Sequence, residues 1–183
     1  KEVKSYFLSP IAYIFIGLFL FMNSIFFYLD VYAIGRVNFE YMFGSLATVL
    51  TFVVPILTMR MFAEERKNGT EQILYTSPRS ITSIVLGKFL AATIIMVICE
   101  VFTLMYLGIL KYFGQPHIST ALVTLLGFLL LSMAYIAFGM FASSITENQI
   151  IAGVITIAGL LVIWFMPSFY SSLSNFSLIN VFS

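Results

Sequence analysis

The feature that most constrains this chain is a series of apolar stretches, each long enough to cross a lipid bilayer. At a rise of about 1.5 Å per residue, the first of them would form a helix of about 28 Å, which matches the hydrocarbon core. Only 9% of the residues are charged and 61% are hydrophobic, whereas a soluble domain carries about a quarter charged residues. The sequence therefore predicts an all-α integral membrane protein with a single membrane domain. Its five expected transmembrane helices cover residues 11–29, 43–59, 84–110, 121–143 and 150–166.

The first residues, KEVKSYFLS, have the pattern of a short amphipathic helix that lies along the membrane surface. Tyr6 and Phe7 share one helical face with Val3, and Lys1 and Lys4 lie on the polar remainder. An ordinary polar flank of the first span is the alternative interpretation. At the other end, residues 167–183 carry no charge and are expected to form an external segment.

The basic residues indicate which side of the membrane each loop occupies. If the N-terminus is cytoplasmic, seven Lys and Arg residues fall on that side and two on the other. Because Lys and Arg are concentrated in cytoplasmic loops, we expect a multi-pass protein of a cell membrane, such as a bacterial inner membrane, with its N-terminus inside. The seven are Lys1, Lys4, Arg60, Arg66, Lys67, Arg79 and Lys88, and the two are Arg36 and Lys111.

Residues 60–72, between the second and third spans, hold six of the charged residues of the chain. We expect the second span to continue as a helix to Lys67, with Arg60 and Glu64 paired at i, i+4. Asn68-Gly69 is a signal for a helix C-terminus, and Thr70 followed by Glu71 is a signal for a new N-terminus. A third helix is expected to begin after Ser80. The prediction is thus a helix, a turn and a short surface helix, and the alternative is a solvated loop.

Signals for catalysis are weak. Gly87-Lys88 lacks the earlier glycine of a phosphate-binding loop and is followed by Phe89. The single histidine, His117, cannot provide a metal site alone, and the single Cys99 lies within an apolar run, so no disulfide is indicated. We therefore expect neither catalytic residues nor a metal site in this chain, and no nucleic-acid partner.

Three strings carry a resemblance to a known family. LTMRMFAEERKNGTEQILYTSP, followed by IVLGKFLAA, resembles the membrane subunit of type 2 ABC exporters, close to the gliding-motility and nitrous-oxide-cluster permeases. KEVKSYFLSPIAYIF is similar to the interfacial elbow helix and first span of that family, and SSITENQIIAG to its turn between spans four and five. The resemblance extends over nearly the whole chain. The family fold has six spans, so the sixth is expected to be missing from this sequence.

The resemblance implies a mechanism in which ATP is hydrolysed elsewhere. Two such subunits, identical or related, would pack together, and each would dock a cytoplasmic ATPase that carries the ATP and Mg²⁺. The coupling helix of the family maps to residues 69–76, beside the end of the preceding helix. An accessory extracytoplasmic protein is a further partner left open. The implied ATPase-coupling residues are Glu64, Glu65, Arg66, Lys67, Gly69, Thr70, Glu71 and Gln72, and the elbow residues are Lys1, Lys4, Tyr6 and Phe7.

Glu100 is the acidic residue within the third span, and an ionisable group at that depth indicates a functional site. A hydrogen-bonded glutamate that faces another helix is the alternative interpretation. The sequence favours an ABC exporter permease. The competing hypothesis is a membrane anchor or scaffold subunit without transport, which the scarcity of charged residues in the spans supports. The residues do not specify a substrate.

Overall fold

The computed structural model describes residues 10–29, 31, 39–69, 80–113 and 118–175, and within them it is an all-α bundle. The described part does not include residues 1–9, which contain the elbow residues, nor the coupling residues Thr70, Glu71 and Gln72. The predictions for them stay predictions. The helices are α1 (Pro10–Tyr28), α2 (Phe39–Thr58), α3 (Ala63–Lys67), α4 (Ile81–Phe113), α5 (Ile118–Ile145) and α6 (Gln149–Asn175).

Four segments in the described part are long and apolar enough to cross a membrane: Met42–Lys67, Ile81–Ile109, Ile118–Ile145 and Gln149–Pro167. A fifth apolar helix, Ala12–Tyr28, is shorter. Each of the five predicted spans thus has a helix at its place in the chain. Helices α4, α5 and α6 extend beyond the predicted limits at both ends, whereas α1 and α2 begin earlier than predicted and end one residue earlier. Helix α6 continues past 166 through Pro167 to Asn175.

Helix α2 lies at the centre of the bundle, in contact with α1, α5 and α6. Its buried residues Leu46, Leu50 and Leu57 recur at near-helical spacing and form one face of the core. Phe15 and Phe19 of α1 are also fully buried, and the Phe19 ring lies 6.1 Å from that of Phe128. In a bilayer, such contacts stabilise the fold through close packing, because lipid chains are as apolar as the side chains themselves.

Polar side chains inside the bundle are satisfied mainly by their own helices. The hydroxyl groups of Thr58, Thr103 and Thr156 each donate to the carbonyl four residues earlier, at 3.1, 3.0 and 2.8 Å. These bonds remove most of the penalty for burying a hydroxyl in an apolar environment.

The predicted turn between the last two spans is present. Asn148 accepts the backbone N–H of Ile150 through its Oδ1 at 2.9 Å, so it acts as the N-cap of α6. The start of α4 also agrees with the prediction, because the carbonyl of Ser80 accepts the first helical N–H groups. The second span differs from the prediction: regular helix ends at Thr58, and residues 59–62 form turns before α3 begins.

Candidate functional site

The interruption after Thr58 forms a compact junction, residues 59–69, which we call the α2–α3 junction. The backbone N–H of Met61 bonds to the carbonyl of Thr58 at 3.1 Å, which is a tighter turn than that of an α-helix. Phe62 occupies the N-cap position of α3 and makes no capping bond with its own side chain. The first N–H groups of α3 therefore need partners from elsewhere in the fold.

Ser143, near the end of α5, supplies that partner. Its Oγ accepts the backbone N–H groups of Phe62 at 3.1 Å and of Ala63 at 3.2 Å, and donates to the carbonyl of Met59 at 3.1 Å. One fully buried hydroxyl thus satisfies three backbone groups of the junction. Ser143 thus acts as an N-cap for α3, although it lies 80 positions from Ala63 in the sequence.

Lys88 connects the junction to α4. Its ammonium group donates to the carbonyl of Met61 at 2.6 Å and to Oε1 of Glu65 at 2.5 Å, and it lies 5.0 Å from the centre of the Phe62 ring. Only 4% of Lys88 is exposed. Burying a lysine ammonium group is costly unless it is paired and hydrogen-bonded, and the junction provides a carboxylate and a carbonyl for it.

Three of the four charged side chains of α3, those of Glu64, Glu65 and Arg66, also bond to other groups of the chain. Arg60 donates two hydrogen bonds to the carboxylate of Glu64, at 2.7 and 2.5 Å, as the i, i+4 spacing predicts. Arg66 donates from Nη1 to the carbonyl of Ser144 at 2.9 Å. Gly69 has a φ of 67°, and its N–H bonds to the carbonyl of Arg66 at 3.1 Å. Gly69 thus forms the predicted left-handed C-terminus of the helix.

The predicted coupling residues of the described part therefore differ in their surroundings. The side chains of Glu64, Glu65 and Arg66 contact other parts of the chain, whereas Lys67 and Gly69 are exposed. Contact of any of them with an ATPase stays a prediction. Sequence reasoning missed Lys88 and Ser143. For Lys88, a lysine within the first turns of a predicted span was the available signal, but a serine at the end of an apolar helix gives none.

A cavity of about 450 Å³ lies beside the junction, between α4 and α5. Its walls are largely apolar, and α3 contributes the charged Glu65 and Arg66. The remaining lining residues are Phe62, Ile81, Ile84, Val85, Leu86, Phe89, Ala137, Met140, Phe141 and Ser144.

Glu100 lies within the bundle and is only 9% exposed. Its Oε1 has no hydrogen-bond partner in the described part of the chain, and the same holds for Oδ1 of the fully buried Asn23. The amide of Asn23 donates to Oγ1 of Thr103 at 2.6 Å, one turn beyond Glu100. Asn23 and Thr103 thus form a polar contact between α1 and α4. In the same described residues, no three metal-binding side chains of the His, Cys, Asp and Glu types come together.

The long apolar helices, the exposed apolar surface and the charged junction at one end of the bundle define a multi-pass membrane protein. A family model described as "ABC-2 family transporter protein" matches residues 32–183, and the chain therefore belongs to that family. Its members are membrane subunits, so this chain is a permease subunit of an ABC transporter and is not itself the catalytic one. The family implies association with an ABC ATPase.

No match was found among curated proteins or among solved structures. The closer resemblance to the gliding-motility and nitrous-oxide-cluster permeases therefore stays a prediction.

Proposed function

We propose that this permease subunit serves an ATP-driven exporter and that the α2–α3 junction transmits the motion of the ATPase to the membrane helices. The observation that carries the proposal is the set of connections of α3. Covalent continuity joins it to α2, Lys88 joins it to α4, and Ser143 joins it to α5. A force on this five-residue helix therefore acts on three long helices together.

The hydrogen bonds within the junction favour transmission of that force to the membrane helices. Ser143 fixes the direction in which α3 leaves α2, because it holds backbone groups on both sides of the turn. Lys88 holds the next turn against α4 through Glu65. A solvated loop would absorb a displacement by bending, whereas a junction with internal bonds passes it on. ATP and Mg²⁺ would be bound by the partner, which would contact the exposed side of the junction from the cytoplasm.

The paired charges suggest which residues make that contact. Because Glu64, Glu65 and Arg66 contact other groups of this chain, we propose that Lys67, Asn68 and the residues after Gly69 meet the ATPase first. The three paired residues would then hold the shape of the junction. Two permease subunits, identical or related, would complete the transporter, and we propose that the N-terminus is cytoplasmic.

Site-specific photocrosslinking tests this assignment directly. A photoreactive amino acid at Asn68, which is exposed, is expected to crosslink to the ATPase that co-purifies with the permease. The same amino acid at Thr120, which is exposed at the other end of the bundle on α5, serves as the control and is expected to give no such product. Crosslinking from Thr120 but not from Asn68 would contradict the proposed contact.

The anchor or scaffold hypothesis makes a different prediction for ATP turnover. An anchor would leave the ATPase rate the same with and without the permease, and the same with a permease that carries Ser143→Ala. We expect instead that the permease in proteoliposomes changes the ATPase rate, and that Ser143→Ala reduces this change while the complex still assembles. Equal rates in all three samples would favour the anchor.

A further inference from the structure

The cavity between α4 and α5 has no role in the proposed coupling, and its chemistry is that of an amphipathic ligand site. We propose that it binds an anionic phospholipid, with an acyl chain between the two helices and the phosphate at the end of α3. The site does not depend on the ATPase or on transport.

The apolar walls support an acyl chain as the occupant. Ile81, Leu86 and Phe141 line the cavity and are 60, 58 and 63% exposed, so they are not covered by the rest of the described chain. The exposed apolar surface continues along the same helices, for example at Leu90 and Leu130. A chain that leaves the cavity therefore passes onto surface that faces the bilayer interior. The volume of about 450 Å³ is within the range of small-molecule sites, about 300–1,000 Å³.

The charges support an anionic headgroup. Glu65 and Arg66 both line the cavity, but the carboxylate of Glu65 is paired with the ammonium of Lys88 at 2.5 Å. These three side chains carry two positive charges and one negative charge. Arg66 has partners of its own, among them the carbonyl of Ser144, which does not neutralise its charge. A guanidinium group has five donors, so it can bond to a phosphate while it keeps other contacts.

The position of the site fits a lipid rather than a free anion. Helix α4 begins at Ile81 and α5 ends at Ile145, so the cavity lies at the ends of the two helices, where headgroups are found. Basic pockets between membrane helices at this level bind anionic lipid headgroups. A free phosphate would use Arg66 and leave the apolar walls without a partner.

Fluorescence quenching by brominated lipids tests the site. The reporter is Phe89→Trp, placed in the cavity wall, in a chain whose natural tryptophan is removed by Trp164→Phe. The protein is reconstituted in mixed vesicles of phosphatidylglycerol and phosphatidylcholine in which one or the other lipid is dibrominated. We expect the phosphatidylglycerol to bind at the reporter about fivefold more strongly, equivalent to ~1 kcal/mol for one basic residue near the surface.

Two pairs of variants separate a site from a general surface effect. Arg66→Gln is expected to bring the preference for phosphatidylglycerol over phosphatidylcholine close to one. Lys67→Gln removes an exposed neighbouring charge outside the cavity and is expected to retain most of the preference. Ala137→Phe fills the cavity and is expected to reduce quenching by both lipids. Ala134→Phe, one turn away on the exposed face of α5, is expected not to.

Three results would overturn the proposal. If Arg66→Gln and Lys67→Gln reduce the preference for phosphatidylglycerol equally, the preference comes from diffuse surface charge. If Arg66→Gln leaves the preference unchanged, this arginine does not bind the headgroup. A reporter that neither lipid quenches would mean that a protein segment covers the cavity. If Ala137→Phe does not fold, the comparison of the two charge variants decides.

Discussion

Ser143 shows how much of a membrane protein junction can depend on one hydroxyl group. The first turn of α3 begins without a capping side chain of its own, and a buried N–H without a partner costs about 1–3 kcal/mol. Ser143 removes that cost for two N–H groups and also satisfies the carbonyl of Met59. The serine therefore fixes the angle between α2 and α3 as well as stabilising both.

We predict that Ser143→Ala lowers the free energy of unfolding by about 1–3 kcal/mol, because backbone groups of the junction lose their partner. Unfolding in a titration with SDS, followed by circular dichroism, measures the change. Ser144→Ala is the control, since the hydroxyl of Ser144 bonds within its own helix, to the carbonyl of Phe141 at 2.7 Å. A loss in the control as large as that in Ser143→Ala would contradict the capping role.

Lys88 is the second residue whose role depends on distant parts of the chain. We predict that Lys88→Met destabilises the protein by about 1–3 kcal/mol, which is below the range for fully buried pairs because Glu65 is 30% exposed. In a double-mutant cycle with Glu65→Gln, the two losses should be less than additive. Lys111→Met, at an exposed position of the same helix, should change little. Additive losses would mean that the salt bridge contributes nothing.

At the scale of the elements, the contact between α2 and α5 depends on a glycine. A Cβ at Gly139 would lie 2.2 Å from Oγ1 and 2.8 Å from Cβ of Thr58. A Cβ is attached to the backbone and cannot turn away, so the two helices would have to move apart. The contact lies one turn from Ser143, so the same displacement would disturb the α2–α3 junction.

We predict that Gly139→Ala costs about 1–3 kcal/mol of stability through overpacking, measured by the same SDS titration. Gly127→Ala is the matched control on the same helix, because a Cβ there meets nothing within 4 Å. It should be neutral or slightly stabilising, since alanine favours helix more than glycine does. Thr58→Ala should recover part of the loss in Gly139→Ala. If both glycine variants behave alike, the close approach is not what determines the effect.

The positions of the helices could be predicted from the sequence because membrane length and apolar composition are local properties. The pairing of Arg60 with Glu64 and the turn at Gly69 were also predictable, since both depend on neighbours in the chain. The interruption at residues 59–62 was not, because its partner Ser143 is 80 or more positions away. Lys88 was missed for the same reason: nothing near it in the sequence identifies Met61 and Glu65 as its acceptors.

At the scale of the whole molecule, burial is unevenly distributed among the helices. Helix α2 is largely enclosed, whereas α6 exposes large apolar residues such as Ile150, Val162 and Met166. Surface of this kind suits lipid rather than water. The polar contact of Asn23 with Thr103 lies inside the bundle instead. The charged junction and the turn before α6 lie at the same end of the bundle, because Ser143 and Ser144 both contact the junction.

This arrangement allows the orientation in the membrane to be tested with three single cysteines. Asn68→Cys and Glu147→Cys lie at the end with the junction, and Thr120→Cys lies at the other end of α5; all three positions are exposed. The natural Cys99 is buried and should give little background. Because the predicted cytoplasmic side holds most of the basic residues, an impermeant maleimide should label Thr120→Cys in intact cells. It should label the other two only after permeabilisation. Labelling of Asn68→Cys in intact cells would mean that the orientation is opposite to the predicted one. The junction would then be out of reach of a cytoplasmic ATPase.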